Sequence, residues 1–297
     1  MANSLSSTAT VVLTPSKRSS GFWRRFARNK GAVAGLVVLA LVALLVAFGP
    51  LLAANDPWDM VDQPFLEPGQ TAGLPMGTDT MGRDIFSGVV RGARISLLIG
   101  VVSTVVSLII GVGIGAVAGY FGRWVDATLM RFTELFQAVP SFALAIVLVA
   151  IFQPSIDSIV AAIALVSWPP VARLVRGEFL TLRQRDFVSA AQLAGLSTPR
   201  IILGEILPNA ASPIIVMASL MVATAILLES SLSFLGLGDP NQMSWGYMVG
   251  AARTVLRQAW WMALFPGLAI VFTVLALNLV GEGLNDGLNA RSAGRTR

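Results

Sequence analysis

Six apolar runs, most of them near the roughly 20 residues that a helix needs to cross a bilayer, dominate this chain of 297 residues. They extend from Gly31 to Ala54, Ile95 to Gly122, Leu135 to Ile156, Ser158 into Arg173 to Arg176, Ile206 to Leu228 with a continuation to Gly238, and Gln258 to Gly281. Runs of that length persist where lipid replaces water, so the pattern predicts an all-α polytopic membrane protein with six transmembrane helices. The balance of 55% hydrophobic to 12% charged residues, with a mean hydropathy of +0.74, is far too apolar for a water-soluble domain.

The fourth run is the weakest. Only fifteen residues separate Asp157 from Arg173, and Trp168-Pro169-Pro170 sits among them. Such a segment spans if its arginine end snorkels to the interface, and it is expected to kink. Pro140, Pro169, Pro170, Pro213 and Pro266 would each remove one backbone hydrogen bond, which a bundle tolerates when neighbours satisfy the freed carbonyls.

Charge placement orients the runs. With the N-terminus inside, sixteen Lys and Arg residues fall on the cytoplasmic side, from Lys17 and Arg18 through Arg123, Arg131, Arg173, Arg176 and Arg183 to Arg291, Arg295 and Arg297. The other side holds Arg83, Arg91, Arg94, Arg253 and Arg257, so the positive-inside rule puts both termini in the cytoplasm. Trp58, Trp245, Trp260 and Trp261 then fall near the outer interface, as an aromatic belt requires. The expected layout is a cytoplasmic tail at 1–30, a first span at 31–54, an outer loop at 55–94, a core of five further spans at 95–284 with a cytoplasmic loop at 177–209, and a cytoplasmic tail at 285–297. The outer loop is rich in Asp, Pro and Gly and predicts irregular structure ending in an amphipathic segment around Arg83 to Arg94. The polar, basic start lacks a signal-peptide design, so the first run is expected to remain as an anchor.

Cysteine and histidine are both absent. Their absence removes disulfides, Cys/His metal sites, thiol nucleophiles and the usual acid–base group near neutral pH. The formal charge of +5 is spread over several loops and makes no single basic face for nucleic acid. A phosphate-binding loop needs a Gly-rich turn followed by Lys and Ser or Thr, yet Lys17 and Lys30 are the only lysines and neither follows such a turn. Any ATP used must be bound by another polypeptide.

The loop at 177–209 carries the most information. Phe187, Ala190, Ala191 and Ala194 recur at helical spacing, Gly195 is a natural helix stop, and Ser197-Thr198-Pro199 offers a cap and a first-turn proline. The expectation is a short helix, a sharp bend and a second short helix. The small residues Ser189, Ala190, Ala191 and Ala194 leave a narrow face that could seat in a partner's groove, and the competing reading is an amphipathic helix lying on the bilayer.

Ser189-Ala190-Ala191, Gly195 and Leu207-Pro208 resemble the EAA loop of ABC-importer permeases, where Glu-Ala-Ala, a glycine and a downstream Leu-Pro form a coupling helix on the ATPase. The leading Glu of that pattern is Ser189 here. Phe22-Trp23, Arg28-Asn29-Lys30-Gly31, Gly77-Thr78-Asp79, Gly82-Arg83-Asp84, Gly92-Ala93-Arg94 and the run Leu232 to Gly238 look like the dipeptide/oligopeptide permease subfamily, in particular the second of its two paired permeases. So do Trp260-Trp261, Phe265-Pro266-Gly267 and Asn278-Leu279. The resemblance implies a type I ABC importer permease fold in a bacterial cytoplasmic membrane. It implies a homologous permease as heterodimer partner, two ATPase subunits that bind ATP and Mg, an external solute-binding protein and a peptide cargo. Glutathione, haem or nickel complexes are carried by other members. It places ATPase coupling on Asp186, Phe187, Ser189, Ala190, Ala191, Gly195, Leu207 and Pro208, with no catalytic residue, cofactor or metal held by this chain.

Carboxylates within or beside apolar runs are functional-site hypotheses by default, which makes Glu229 and Glu134 candidates for the translocation pathway. Glu229 could instead be hydrogen-bonded to neighbours such as Ser230 or Ser231, and Glu134 could pair with Arg131 at helical spacing. Gly77 to Asp84 could contact a binding protein, though turn formation alone accounts for its glycines. Gly111, Gly113 and Gly115 look superficially like a dinucleotide fingerprint, but no strand precedes them. Gly111, Gly115 and Gly119 line one helix face and predict close helix packing. A proton- or sodium-driven carrier coupled through Glu229 or Glu134 would leave the organised loop unexplained. An intramembrane enzyme lacks His, Cys and carboxylates at metal-ligand spacing.

Overall fold

The computed structural model describes residues 22–53 and 55–288. Ala54, the 1–21 and 289–297 parts of the expected tails, and with them Lys17, Arg18, Arg291, Arg295 and Arg297 of the charge count, lie outside those residues.

After a one-turn helix α1 (Phe22–Phe26), Asn29 accepts the Ala32 N–H on its side chain and caps α2 (Lys30–Leu52), the first long apolar helix. Asp84 caps α3 (Ile85–Phe121) through the Phe86 and Ser87 N–H groups. That cap starts the second span ten residues before Ile95, and the amphipathic segment expected at its front is simply its first turns. Arg91, which pairs with Asp56 at 3.3 Å, and Arg94 both lie inside the helix, since arginine is a good helix former.

The third expected run is not one straight helix. α4 (Arg123–Ala138) and α5 (Ser141–Phe152) meet at an 80° bend. Pro140 supplies no N–H and pushes Val139 out of the helical region, to φ −94° and ψ 131°. By contrast the doubtful fourth run is an uninterrupted helix, α6 (Ile156–Leu182), that carries Pro169 and Pro170 inside it. It outgrows its charge-free length at both ends: Ser155 and Ser158 form a capping box, and Arg176 finds Asp126 instead of water.

Beyond the short α7 (Asp186–Leu193), the second loop helix is not separate. α8 (Thr198–Arg200) runs through a π-helical turn (Ile201–Ile206) straight into α9 (Leu207–Leu232), and a second π turn (Ser233–Leu237) ends that rod. The Leu207 N–H bonds back to Ile202, one residue further than an α-helix allows, which absorbs the register change ahead of Pro208. α10 (Trp245–Ala252), which no apolar run announced, is too short to span, and α11 (Trp261–Leu288) is the final long helix.

Five described helices are long and apolar enough to cross a membrane, or six with the bent α4–α5 pair counted as one span. α3, α6 and α9 pack on one another, and α11 packs on α9 and α2. Asn29 donates to Asp286 at 2.9 Å, so both ends of the described chain sit at the end of the bundle that carries α7. The opposite end carries α10 and the loop 55–84.

That loop is ordered without regular structure. Thr78, fully buried, donates to the Gln63 carbonyl at 2.7 Å and accepts the Leu66 N–H at 2.9 Å. The expected aromatic belt is only partly a belt. Trp260 is exposed, Trp58 lies under Arg83 and beside Tyr247, but Trp245 and Trp261 are buried, with their indole N–H groups on the carbonyls of Val89 and Thr78. Buried indoles need such acceptors, and here they fasten the 55–84 loop and α10 to the spans.

Candidate functional site

α7 projects from its end of the bundle and is held by its backbone. The Leu196 N–H bonds to the Ala191 carbonyl at 3.1 Å and the Gly195 N–H to Gln192 at 3.0 Å, the paired bonds of a Schellman turn. Gly195 has φ +77°, the left-handed conformation that turn requires. Val188 and Ala191 face inward, into a core with Ile201, Ile206, Val175 and Phe179. Phe187, Leu196 and Leu207 pack against its edge, while Asp186, Ser189, Ala190, Gly195 and Pro208 are exposed. The residues predicted for coupling therefore divide into an anchored row and a presented row: Ala191 belongs to the first and Ala190 to the second.

Behind α7, α6 is locked to α3 by close backbone approach. A Cβ on Gly111, Gly115 or Gly119 would lie 2.5 Å from Val171 Cβ, the Ala172 carbonyl oxygen and Phe179 Cβ respectively, whereas one on Gly113 would meet nothing within 4 Å. Arg183, just past α6, donates to the Gly119 and Tyr120 carbonyls at 3.2 and 3.1 Å, satisfying and electrostatically favouring the C-terminal end of α3. Arg176 grips Asp126 of α4 through two bonds, Nη2 to Oδ2 at 2.6 Å and Nε to Oδ1. Phe132 and Phe136 of α4 rest on the buried Trp168 ring.

The two candidate carboxylates have opposite surroundings. Glu134 is exposed on α4 and pairs with Arg131 at 3.3 Å. Glu229 is enclosed, with 1% of its surface exposed, and takes hydrogen bonds on Oε1 from Ser233 at 2.8 Å and Ser244 at 2.7 Å. Of the two neighbours expected beside it, Ser230 reaches Oε2 only at 3.4 Å, and Ser231 points to the Leu227 carbonyl. Ser244, fifteen residues away, escaped the sequence reading because its link to Glu229 exists only once α10 folds back against α9. Asp126 was missed for a similar reason: its partner lies 50 residues on.

Residues 111–294 match the family described as "Binding-protein-dependent transport system inner membrane component", and residues 19–68 match "N-terminal TM domain of oligopeptide transport permease C". The chain belongs to the first of these families. Its relatives include a di/tripeptide transport system permease protein of Pseudomonas aeruginosa, 42% identical over 91% of each chain. A dipeptide permease of Alkalihalophilus pseudofirmus is 40% identical over 91% of this chain and 88% of its own. A glutathione transport system permease of Pectobacterium atrosepticum is 41% identical over 91% of this chain and 90% of its own. Among solved structures, the inward-facing MetNI methionine ABC transporter aligns with 70% of this chain and 97% of its own at a TM-score of 0.56 and 16% identity. At that identity the likeness concerns the fold, that of a type I ABC importer permease. This permease is accordingly a multi-pass membrane component of an ABC importer, a class that works with ATPase and binding-protein partners.

Proposed function

We propose that this permease forms, with a homologous permease subunit, the membrane path of a bacterial importer for di- or oligopeptides, and that it contributes no bond chemistry of its own. The observation that carries the reading is α7: a short helix fixed by a Schellman turn, anchored by Val188 and Ala191, and presenting Asp186, Ser189 and Ala190 outward. A rigid face of small residues suits a groove on a motor subunit. Two ATPase subunits, binding ATP and Mg, would press on it and on the adjoining Leu207-Pro208.

The α7 end would face the cytoplasm of a cell bounded by that membrane, with both termini there, in keeping with the excess of Lys and Arg on that side. The α10 end and the 55–84 loop would receive the cargo from a solute-binding protein. Glu134, exposed on α4, is a candidate wall residue of the path. Glu229 is enclosed, so any part it takes in transport runs through the elements it joins.

Peptide is preferred as cargo because two of the relatives above carry di- or tripeptide in their names. The glutathione permease, at 41% identity, supports a second reading. Purifying the complete complex with its binding protein, and identifying the small molecule retained by mass spectrometry, decides between them. Proteoliposomes should then import that molecule only when ATP is supplied. Uptake without ATP would replace the motor-driven reading by an ion-coupled carrier.

A further inference from the structure

The α7 loop and the α10 end are joined by a single helical stretch of 40 residues, Thr198–Leu237. It leaves the loop at Thr198-Pro199 and closes in the π turn at Ser233–Leu237. One turn before that π segment, Glu229 points inward and accepts two serine hydroxyls on one oxygen, Ser233 from its own rod and Ser244 from outside it. Ser244 is the N-cap of α10, and the same Oγ accepts the Tyr247 N–H at 3.0 Å. A Cβ on Gly246 would lie 2.7 Å from Ser230 Cα and 2.9 Å from Glu229 Oε1, so the first turn of α10 touches α9 with nothing between them. Trp245 carries the connection onward to α3: its backbone N–H bonds to Ser96 Oγ at 3.0 Å and its indole to the Val89 carbonyl at 2.8 Å.

The neighbouring hydroxyls of α9 spend their own protons within their helix. Ser230 and Ser231 donate to carbonyls of their own helix, Ile226 and Leu227, at 2.8 and 2.7 Å. A carboxylate has several acceptor sites, and one Glu229 oxygen here serves a donor from each side of the contact, Ser233 and Ser244. We infer that Glu229 is a positioning residue that clasps α10 to α9 throughout the transport cycle, so that displacement of the α7 loop arrives at the α10 end as movement of one rigid unit. The source of the displacement rests on the importer reading given above; the clasp itself does not.

The chain has no cysteine, so Leu227→Cys on α9 and Ala251→Cys on α10, both exposed positions, can carry a pair of spin labels in the complete complex in nanodiscs. The expected inter-label distance is narrow and the same with and without ATP. Glu229→Ala should broaden it. Glu229→Gln, whose amide oxygen still accepts both hydroxyls, should restore it, and Ser231→Ala should leave it as in the parent. In proteoliposomes, uptake per ATP hydrolysed should fall about tenfold or more with Glu229→Ala and less than about threefold with Glu229→Gln. A narrow, nucleotide-independent distance in Glu229→Ala overturns the clasp, and so does a parent distance that shifts when ATP binds. If Glu229→Ala fails to assemble, Ser244→Ala removes one of the two donors and is read in the same way. A parent complex that hydrolyses ATP yet imports no peptide would defeat the importer reading, while the distances would still judge the clasp.

Discussion

Asp126 of α4 holds Arg176 of α6 by a two-point ion pair, at the end of the bundle where α6 is about to leave for α7. The pair is the polar tie of a helix that, beyond Pro140, turns through 80°. Together with the Phe132 and Phe136 contacts on Trp168, it fixes the first limb of the broken span against α6.

Asp126→Ala should therefore destabilise the protein by roughly 1–3 kcal/mol, between the values for exposed and for buried pairs. The lower part of that range applies, because the Arg176 side chain is 35% exposed. Thermal unfolding in detergent measures it, and a double-mutant cycle with Arg176→Ala should show that the two losses do not add.

The glycine face of α3 gives a prediction with an internal control. Gly115→Val forces a side chain onto the Ala172 carbonyl and Val175 and should cost about 1–3 kcal/mol or prevent assembly. Gly113→Ala, two residues away and facing open space, should be neutral or stabilising by up to about 1 kcal/mol, because it replaces a poor helix former. Equal effects of the two substitutions would mean that α3 and α6 do not meet on this face.

On α7, only one of the two adjacent alanines tests docking cleanly. Ala190→Asp places a charge on an exposed position and should leave folding intact while abolishing ATPase binding and uptake. Ala191→Asp buries its charge in the core beside Val188 and should unfold the loop, so its loss of function is uninformative. Gly195→Ala strains a left-handed residue by about 1–2 kcal/mol, and Gly195→Asn should cost less. Protease cleavage within 186–200 together with an ATPase pull-down separates the outcomes.

Trp261→Phe keeps a six-membered ring but loses the rest of the buried indole, with the N–H that reaches the Thr78 carbonyl at 3.1 Å. The expected cost is about 1.5–4 kcal/mol, the net worth of one such bond together with the cavity left by the smaller ring. It should appear locally, as faster backbone hydrogen exchange in residues 62–84 with the spans unchanged.

The spans were readable from the sequence because lipid imposes a length and a composition that side-chain detail cannot override. Gly111, Gly115 and Gly119 were readable as a packing face for a related reason: their spacing alone puts them on one side of α3. Proline was the unreliable signal. Pro140 broke a helix because Val139 could move to an extended conformation, whereas Pro169 and Pro170 stayed inside α6, where Trp168 and Val171 are buried on either side. Charge misled in a similar way, since Arg91, Arg94 and Arg176 all lie inside helices, which arginine favours. The Ser244 link to Glu229 and the helix it caps lay beyond reach, because eight residues make no periodic pattern and the partners meet only in the fold.

The orientation of α7 depends on main-chain bonds around Gly195 and on two inward side chains, and the outward side chains of Asp186, Ser189 and Ala190 are not among those contacts. Such an arrangement separates fit from foldability. If α7 seats the motor as proposed, positions such as Ser189 are free to track its surface, and a permease of this design would change allegiance from one ATPase to another by surface edits alone.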